Sequence, residues 1–306
     1  MIGCGRWGSR ILRDLLGLGC EVSVVDVSAD RRRHAAGAGA RFTAERIDAL
    51  PDVDGAIVAT PTTLHEQAIE ELLGRDVPVF VEKPLTSDLR SAERLARQAG
   101  ERLFVMDKWR YHPGVEALRD IARSGELGPV LGLVTERLGL SEAHADADAV
   151  WILAPHELSI ALEVLGAVPV PRSAVGAASA GRFVHLSALL GESPWHTLTV
   201  SGLAAESRRV IRLICSEGFA VLDGPYADHV LVLRPGADTR EGVPAVERRP
   251  ISSELPLLRE LRAFLGHLRG GPSPRSSAAE GATVVGAIAR LRELAGVTHP
   301  WEASGT

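Results

Sequence analysis

The sequence predicts a two-domain α/β protein. Residues 1–107 form a doubly wound parallel sheet, and residues 108–306 form an α+β domain on a mostly antiparallel open sheet. Three observations carry this expectation. Up to about residue 107, short β-rich runs alternate with helical patterns, the rhythm of right-handed crossovers between parallel strands. After Lys108 the pattern turns to helices followed by a succession of alternating, strand-like runs. Finally, 306 residues exceed what one core usually organises, and 45% apolar content is ample for two.

In the first domain the apolar runs predict strands over 22–25, 55–59, 77–81 and 103–106. Helical spacing falls between them over 10–18, 29–38, 64–73 and 87–99, with Ser87 as a cap before Asp88 in the first turn. In the second, helices are expected over 113–124 and 155–165, the latter beginning at Pro155 because proline belongs in a first helical turn. Strands are expected over 130–137, near 175, and over 182–190, 196–202, 207–215, 219–223 and 230–234, punctuated by turns such as Ser216-Glu217-Gly218. Amphipathic helices over 255–268 and 278–294 close the second domain, and the tail after Gly296 is expected to be partly mobile.

Charge and cysteine content exclude several classes. With 34 basic and 39 acidic residues the net charge is -5, and the longest basic run, Arg31-Arg32-Arg33, reads as the solvated start of a helix, so nucleic acid is not an expected partner. Cys4, Cys20 and Cys215 are odd in number and lack paired spacings, which predicts reduced thiols in a cytoplasmic protein without disulfide or structural zinc. No metal site is predicted, since His144, His185 and His196 show no ligand spacing. No apolar run approaches the roughly 18 residues of a membrane span, and no signal peptide is read at the N-terminus.

The first domain carries the nucleotide signals. Gly3-Cys4-Gly5-Arg6-Trp7-Gly8 has the spacing that lets backbone amides approach a pyrophosphate at a helix N-terminus. Only Met1 and Ile2 precede it, which leaves either a start further upstream or a truncated first strand. Asp26 follows Gly5 by about 20 residues, where a carboxylate accepts hydrogen bonds from the adenosine ribose and repels a 2′-phosphate. NAD is therefore expected, with NADP second because Arg31–Arg33 are close in sequence. Thr60 and Pro61 end the third run at the carboxyl edge of the sheet, where open α/β folds place ligands. They read equally as an ordinary loop, with Thr62 or Thr63 as a helix cap. His65 is either a cleft residue or a surface histidine near a helix start. Glu82-Lys83-Pro84 closes the fourth run, and Lys83 placed there can carry a proton beside a cofactor.

Gly3–Gly8, Asp26, Ala59-Thr60-Pro61, Glu82-Lys83-Pro84 and the two-domain rhythm together resemble the Gfo/Idh/MocA family of oxidoreductases, which makes the first domain Rossmann-like. The order extends through Lys108–Pro113, Ser124–Gly128, Arg269–Pro272 and Ala279–Gly281. The resemblance implies hydride transfer between NAD(H) and a secondary alcohol or ketone of a sugar, nucleotide-linked sugar or cyclitol. Lys83 is then the acid/base, contacting the reacting oxygen and the nicotinamide ribose, and the Lys-Pro peptide is commonly cis. Burial beside a cofactor lowers a lysine's pKa toward neutrality. The resemblance also implies a homodimer or homotetramer paired through the exposed face of the second sheet.

In the second domain, Trp151–Ser159 resembles a family motif in which an aspartate stands four residues before a histidine. His156 matches, but Ile152 replaces the aspartate. Asp148, four residues further upstream, is a candidate substitute if the segment is continuously helical, and Pro155 argues against continuity. Arg110, Tyr111 and Trp151 are candidate substrate contacts by position, the arginine to hold a carboxylate or phosphate and the aromatic faces to stack on a sugar ring, with interdomain packing and salt bridging as the alternatives. Two other readings stay open: a reaction with retained cofactor and no net redox change (elimination, epimerisation or glycoside cleavage), which the resemblance implies for some relatives, and, because of the missing aspartate, a non-catalytic NAD-binding sensor.

Overall fold

The chain folds into two units, and the computed structural model describes residues 1–140, 147–234 and 245–296. The first unit comprises Met1–Lys108 and Leu255–Val285. Its elements are α1 (Arg6–Gly17), β1 (Ser23–Val25), α2 (Ala29–Gly37), β2 (Phe42–Ala44), β3 (Ala56–Val58), α3 (His65–Leu73), β4 (Val79–Glu82), α4 (Leu89–Ala99) and β5 (Leu103–Met106). β1 pairs with β2, and β3, β4 and β5 pair in that order, all in parallel. Ile2 joins the two sheets, bridging in parallel to both Val25 and Val58. Its N–H donates to Ile57 at 2.8 Å and its carbonyl accepts from Ala59 at 2.7 Å, so one residue fills the central strand position. β2 was not expected, because three residues with Phe42 exposed carry no readable alternation. The cap of α4 is Asp88, which accepts from the Ser91 amide at 2.8 Å, and Ser87 lies just outside.

The core of this unit joins Ile11, Leu12 and Leu15 of α1 to Phe80, Phe104 and Met106 of the strands. The same core takes in Leu257, Leu261 and Phe264 of α7 (Pro256–Leu268). This corrects the division at residue 107/108, which put everything beyond it in one second domain. Burying three such side chains contributes about 1.5–3 kcal/mol each, enough to hold α7 on the first unit's core.

The second unit comprises Trp109–Glu254 and Gly286–Thr306. Its helices α5 (Pro113–Ser124) and α6 (Ala149–Leu165) accompany an eight-stranded sheet. The strands are β6 (Val130–Leu140), β7 (Pro171–Ser179), β8 (Arg182–Leu190), β9 (Trp195–Ser201), β10 (Leu203–Cys215), β11 (Gly218–Asp223), β12 (His229–Arg234) and β13 (Ala245–Pro250), in spatial order β13-β12-β11-β10-β6-β9-β8-β7. Every pairing is antiparallel except β6 with β9. Val115, Leu118 and Ile121 of α5 and Ile160, Ala161 and Val164 of α6 pack on Leu133, Ile211, Leu213 and Leu222. Elsewhere on the strands Leu131, Val175, Leu189 and Phe219 are exposed. β13 was unread because it is a largely polar edge strand ending in Pro250. The expected mobile tail after Gly296 and the His144 reading lie outside the described residues.

Candidate functional site

The glycine loop is built by two close approaches and one opening. Gly3 has φ +86°, and a Cβ there would meet the Ala59 carbonyl at 2.7 Å; a Cβ on Gly8 would meet the Gly3 carbonyl at 2.4 Å. These two glycines let α1 sit directly on the strand ends. Gly5 differs, since the nearest atom to its Cβ position is Arg31 Nη1 at 3.8 Å. Gly5 is the N-cap of α1 without a side-chain cap, and no acidic residue occupies the first turn, which contains Arg6 and Trp7. Uncapped amides, an open approach and the positive end of the helix fit a dinucleotide pyrophosphate.

Asp26, 5% exposed, ties the end of β1 to this loop. Its carboxylate accepts from Cys4 N at 2.8 Å and Ser28 N at 2.9 Å. Each oxygen keeps a second lone pair with which to accept from a ribose hydroxyl. Of the three arginines, Arg32 donates to the Asp26 carbonyl at 2.7 Å and Arg33 pairs with Asp30. Arg31 is the one that stands by the loop, 3.8 Å from the Asp26 carboxylate.

The ends of β3 and β4 are clamped together by His65. Its Nδ1 lies 2.9 Å from the Pro84 carbonyl and its Nε2 3.0 Å from the Thr60 carbonyl. The ring is buried, and burial lowers its pKa despite both carbonyls. His65 is thus a buried clamp and not a surface residue. Thr60 Oγ1 is also buried and has no hydrogen-bond partner among the described residues. Pro61 leads into a 3-10 turn, Thr62–Leu64, and neither Thr62 nor Thr63 caps α3, whose N-cap is Leu64.

The Lys83-Pro84 peptide is cis. Glu82 accepts from the Trp7 indole through Oε1 and from the Lys83 amide through Oε2 at 3.2 Å. Burial raises the Glu82 pKa, opposed by Lys83 and Lys108. The Lys108 ammonium stands 4.3 Å over the Trp7 ring. The loop glycines, Trp7, Asp26, Thr60, His65, Glu82 and Lys83 therefore converge on the carboxyl edge of one parallel sheet. Sequence reasoning missed the Trp7–Glu82–Lys108 connection, which no local spacing encodes.

In the second unit the candidates are distributed differently. α6 starts at Ala149, six residues earlier than expected, because Asp148 caps it, accepting from Val150 N at 3.1 Å and Trp151 N at 3.2 Å. Pro155 lies inside the helix, where it removes only the bond to the Trp151 carbonyl. Asp148 Oδ2 also pairs with Arg292 at 2.5 Å and accepts from Phe183 N at 3.3 Å. As a cap and ion-pair partner, Asp148 does not extend the Ile152–His156 face, which corrects its candidacy as a substitute carboxylate. Trp151 has the Arg292 guanidinium 5.6 Å from its ring. Half-buried His156 is next to Glu157, whose buried carboxylate pairs with Arg137 of β6, anchoring the helix.

Arg110 is buried, and its Nε donates to Glu163 at 3.1 Å; Arg119 donates to the other Glu163 oxygen at 2.6 Å. The Glu163 pairing of Arg110 is the salt-bridging alternative to a substrate contact. Tyr111 is buried as well. Among the described residues no group of histidine, cysteine or acidic side chains is arranged to hold a metal, and no helix is long and apolar enough to cross a membrane.

Comparison with known proteins bears on this geometry. A family model described as an oxidoreductase family with an NAD-binding Rossmann fold, Gfo/Idh/MocA, matches residues 1–106. A UDP-N-acetylglucosamine 3-dehydrogenase of Acidithiobacillus ferrooxidans is 28% identical over 281 residues, covering 87% of this chain and 86% of the relative. An inositol 2-dehydrogenase of Renibacterium salmoninarum is 33% identical over 143 residues, covering 44% of this chain and 43% of the relative. The solved structure of the Acidithiobacillus enzyme superposes with a TM-score of 0.84 at 24% identity, over 96% of this chain and 95% of the other, a likeness of fold. The glycine loop, Asp26 and the Glu-Lys-Pro strand end stand on one sheet edge within residues 1–106, the stretch that the NAD-binding Rossmann model of the Gfo/Idh/MocA oxidoreductase family matches.

Proposed function

We propose that the chain transfers a hydride between NAD(H) and a secondary alcohol or ketone of a sugar, nucleotide sugar or cyclitol. The observation that carries this reading is Lys83, which directly follows the end of β4 on the sheet edge that also bears the glycine loop. NAD supplies the hydride acceptor when bound. Residues of the α1 N-terminus and Asp26 hold its pyrophosphate and ribose, and Thr60, Pro61 and His65 shape the strand ends beside it. Lys83 takes the hydroxyl proton as the hydride leaves carbon, and returns it to the oxygen in reduction. His156, Trp151 and Tyr111 remain the second unit's own candidates for substrate contact. The dehydrogenase names of the relatives support the substrate class, and Asp26 supports NAD over NADP.

The same reading makes the protein a cytoplasmic homo-oligomer. Cys4, Cys20 and Cys215 are unpaired, and the exposed Leu131, Val175, Leu189 and Phe219 give the second sheet apolar surface that a second copy can cover. The test is to titrate the purified protein with NADH and NADPH, then follow NADH formation with sugar, nucleotide-sugar and cyclitol alcohols. Lys83→Ala is expected to lower kcat by about 100-fold or more. Full turnover in that variant would refute the assignment.

A further inference from the structure

Glu260 lies on the buried face of α7, 1% exposed, and no N–H or O–H donor among the described residues reaches either of its carboxyl oxygens. Leu257, Leu261 and Phe264 share that face. Its place over the sheet follows from Phe264, whose ring is 4.9 Å from that of Phe80. Leu268, four residues further on, lies 2.8 Å from the Cβ position of Gly55 just before β3, so α7 runs against the strands; four residues back along the helix is about 6 Å, and two residues forward along the strand is about 6.6 Å on the same face. Glu260 and Glu82 are the residues at the ends of those two steps.

The charges felt by Glu260 agree with this placement: burial drives its carboxyl well above the ordinary range, Glu82 and Asp107 push the same way, and Lys108 opposes. Lys108 is the cation stacked on Trp7, whose indole donates to Glu82. Lys83 acts on Glu82 and on His65. Two ionised carboxylates can only accept, so they cannot bond to each other; one proton turns the same contact into a charge-assisted hydrogen bond.

We propose that Glu260 is a positioning residue that holds a proton at neutral pH and donates it in a hydrogen bond to Glu82, so that the two glutamates carry one negative charge beside Lys83 and Lys108. The proton itself is independent of the reaction; its effect on turnover rests on Lys83 being the acid/base.

Infrared spectra of the full-length protein at neutral pH, wild type minus Glu260→Gln, test the proton without turnover. The difference should contain the carbonyl stretch of a protonated carboxylic acid, shifting in D2O; only carboxylate stretches would overturn the proposal. The pH dependence of kcat/KM for alcohol oxidation tests the coupling. In Glu260→Leu, Glu82 loses this hydrogen-bond donor and protonates more readily, which weakens the negative charge beside Lys83, and the acidic limb moves to lower pH by about one unit or more. Glu260→Gln, a neutral donor of the same shape, should restore the wild-type limb. Coincident limbs in wild type and Glu260→Leu would overturn the coupling. If Lys83→Ala retains full turnover, the catalytic assignment fails, and the infrared result still decides the proton.

Discussion

Replacing Gly8 with alanine puts a methyl group 2.4 Å from the Gly3 carbonyl, and that oxygen belongs to backbone on which α1 is seated. Ordinary contact needs about 1 Å more, so either the helix start lifts or the loop retracts. The neighbouring loop position is equally tight, with the Gly3 Cβ site 2.7 Å from the Ala59 carbonyl. The loop therefore has little room to give, and the uncapped amides of the first turn are displaced from the phosphate they would meet. Losing one or two charge-assisted hydrogen bonds costs about 1.5–3 kcal/mol each. At about 1.4 kcal/mol per decade, NADH affinity should fall roughly 10- to 100-fold or more. Isothermal titration of NADH into wild type and Gly8→Ala measures this directly. Gly17→Ala, at the other end of the same helix with nothing within 4 Å of its Cβ, is the control and should bind as wild type does. Unchanged affinity in Gly8→Ala would refute the placement of the pyrophosphate on this loop.

Two further outcomes follow from buried charge. His196 is fully buried, with Nε2 3.0 Å from Thr135 Oγ1, and burial pushes its pKa down from 6.5 to about 3. It is neutral in the fold while the unfolded chain binds a proton below pH 6.5, so its contribution to stability is complete above that pH and is lost as pH falls toward 3. At about 1.4 kcal/mol per unit this amounts to roughly 5 kcal/mol. Urea unfolding at pH 7 and pH 4 should show wild type losing more stability than His196→Gln, and equal losses would refute the linkage. Glu163→Gln leaves Arg110 and Arg119 without their shared buried anion and should destabilise the second unit by about 3–5 kcal/mol. Thermal unfolding that shifts by less than about 0.5 kcal/mol equivalent would show that the pair is dispensable.

Most of the first unit was legible because its signals are local. The β4 and β5 runs, Asp26 at a strand end and the Glu-Lys-Pro sequence each declare themselves within a few residues, and the parallel order follows from crossover handedness. The alternating strands of the second sheet were equally readable. What failed was decided by contacts distant in sequence. Pro155 read as a helix start, yet Asp148 supplies a cap seven residues earlier and Arg292 fixes that cap from 144 residues away. Arg110 read as an anion-binding residue, but its anion, Glu163, comes from another helix.

The sequence alone determined the class of the protein, because strand periodicity, glycine spacing and the order of short motifs are properties of neighbouring residues. Tertiary structure decided which charges meet: His65 against the Pro84 and Thr60 carbonyls, Trp7 against Glu82, Asp148 against Arg292, and α7 on the first unit's core. The reason is physical. A buried polar group must find its partner wherever the chain brings one, and burial, which sets both the cost of an unpaired charge and the direction of a pKa shift, exists only once the chain has folded.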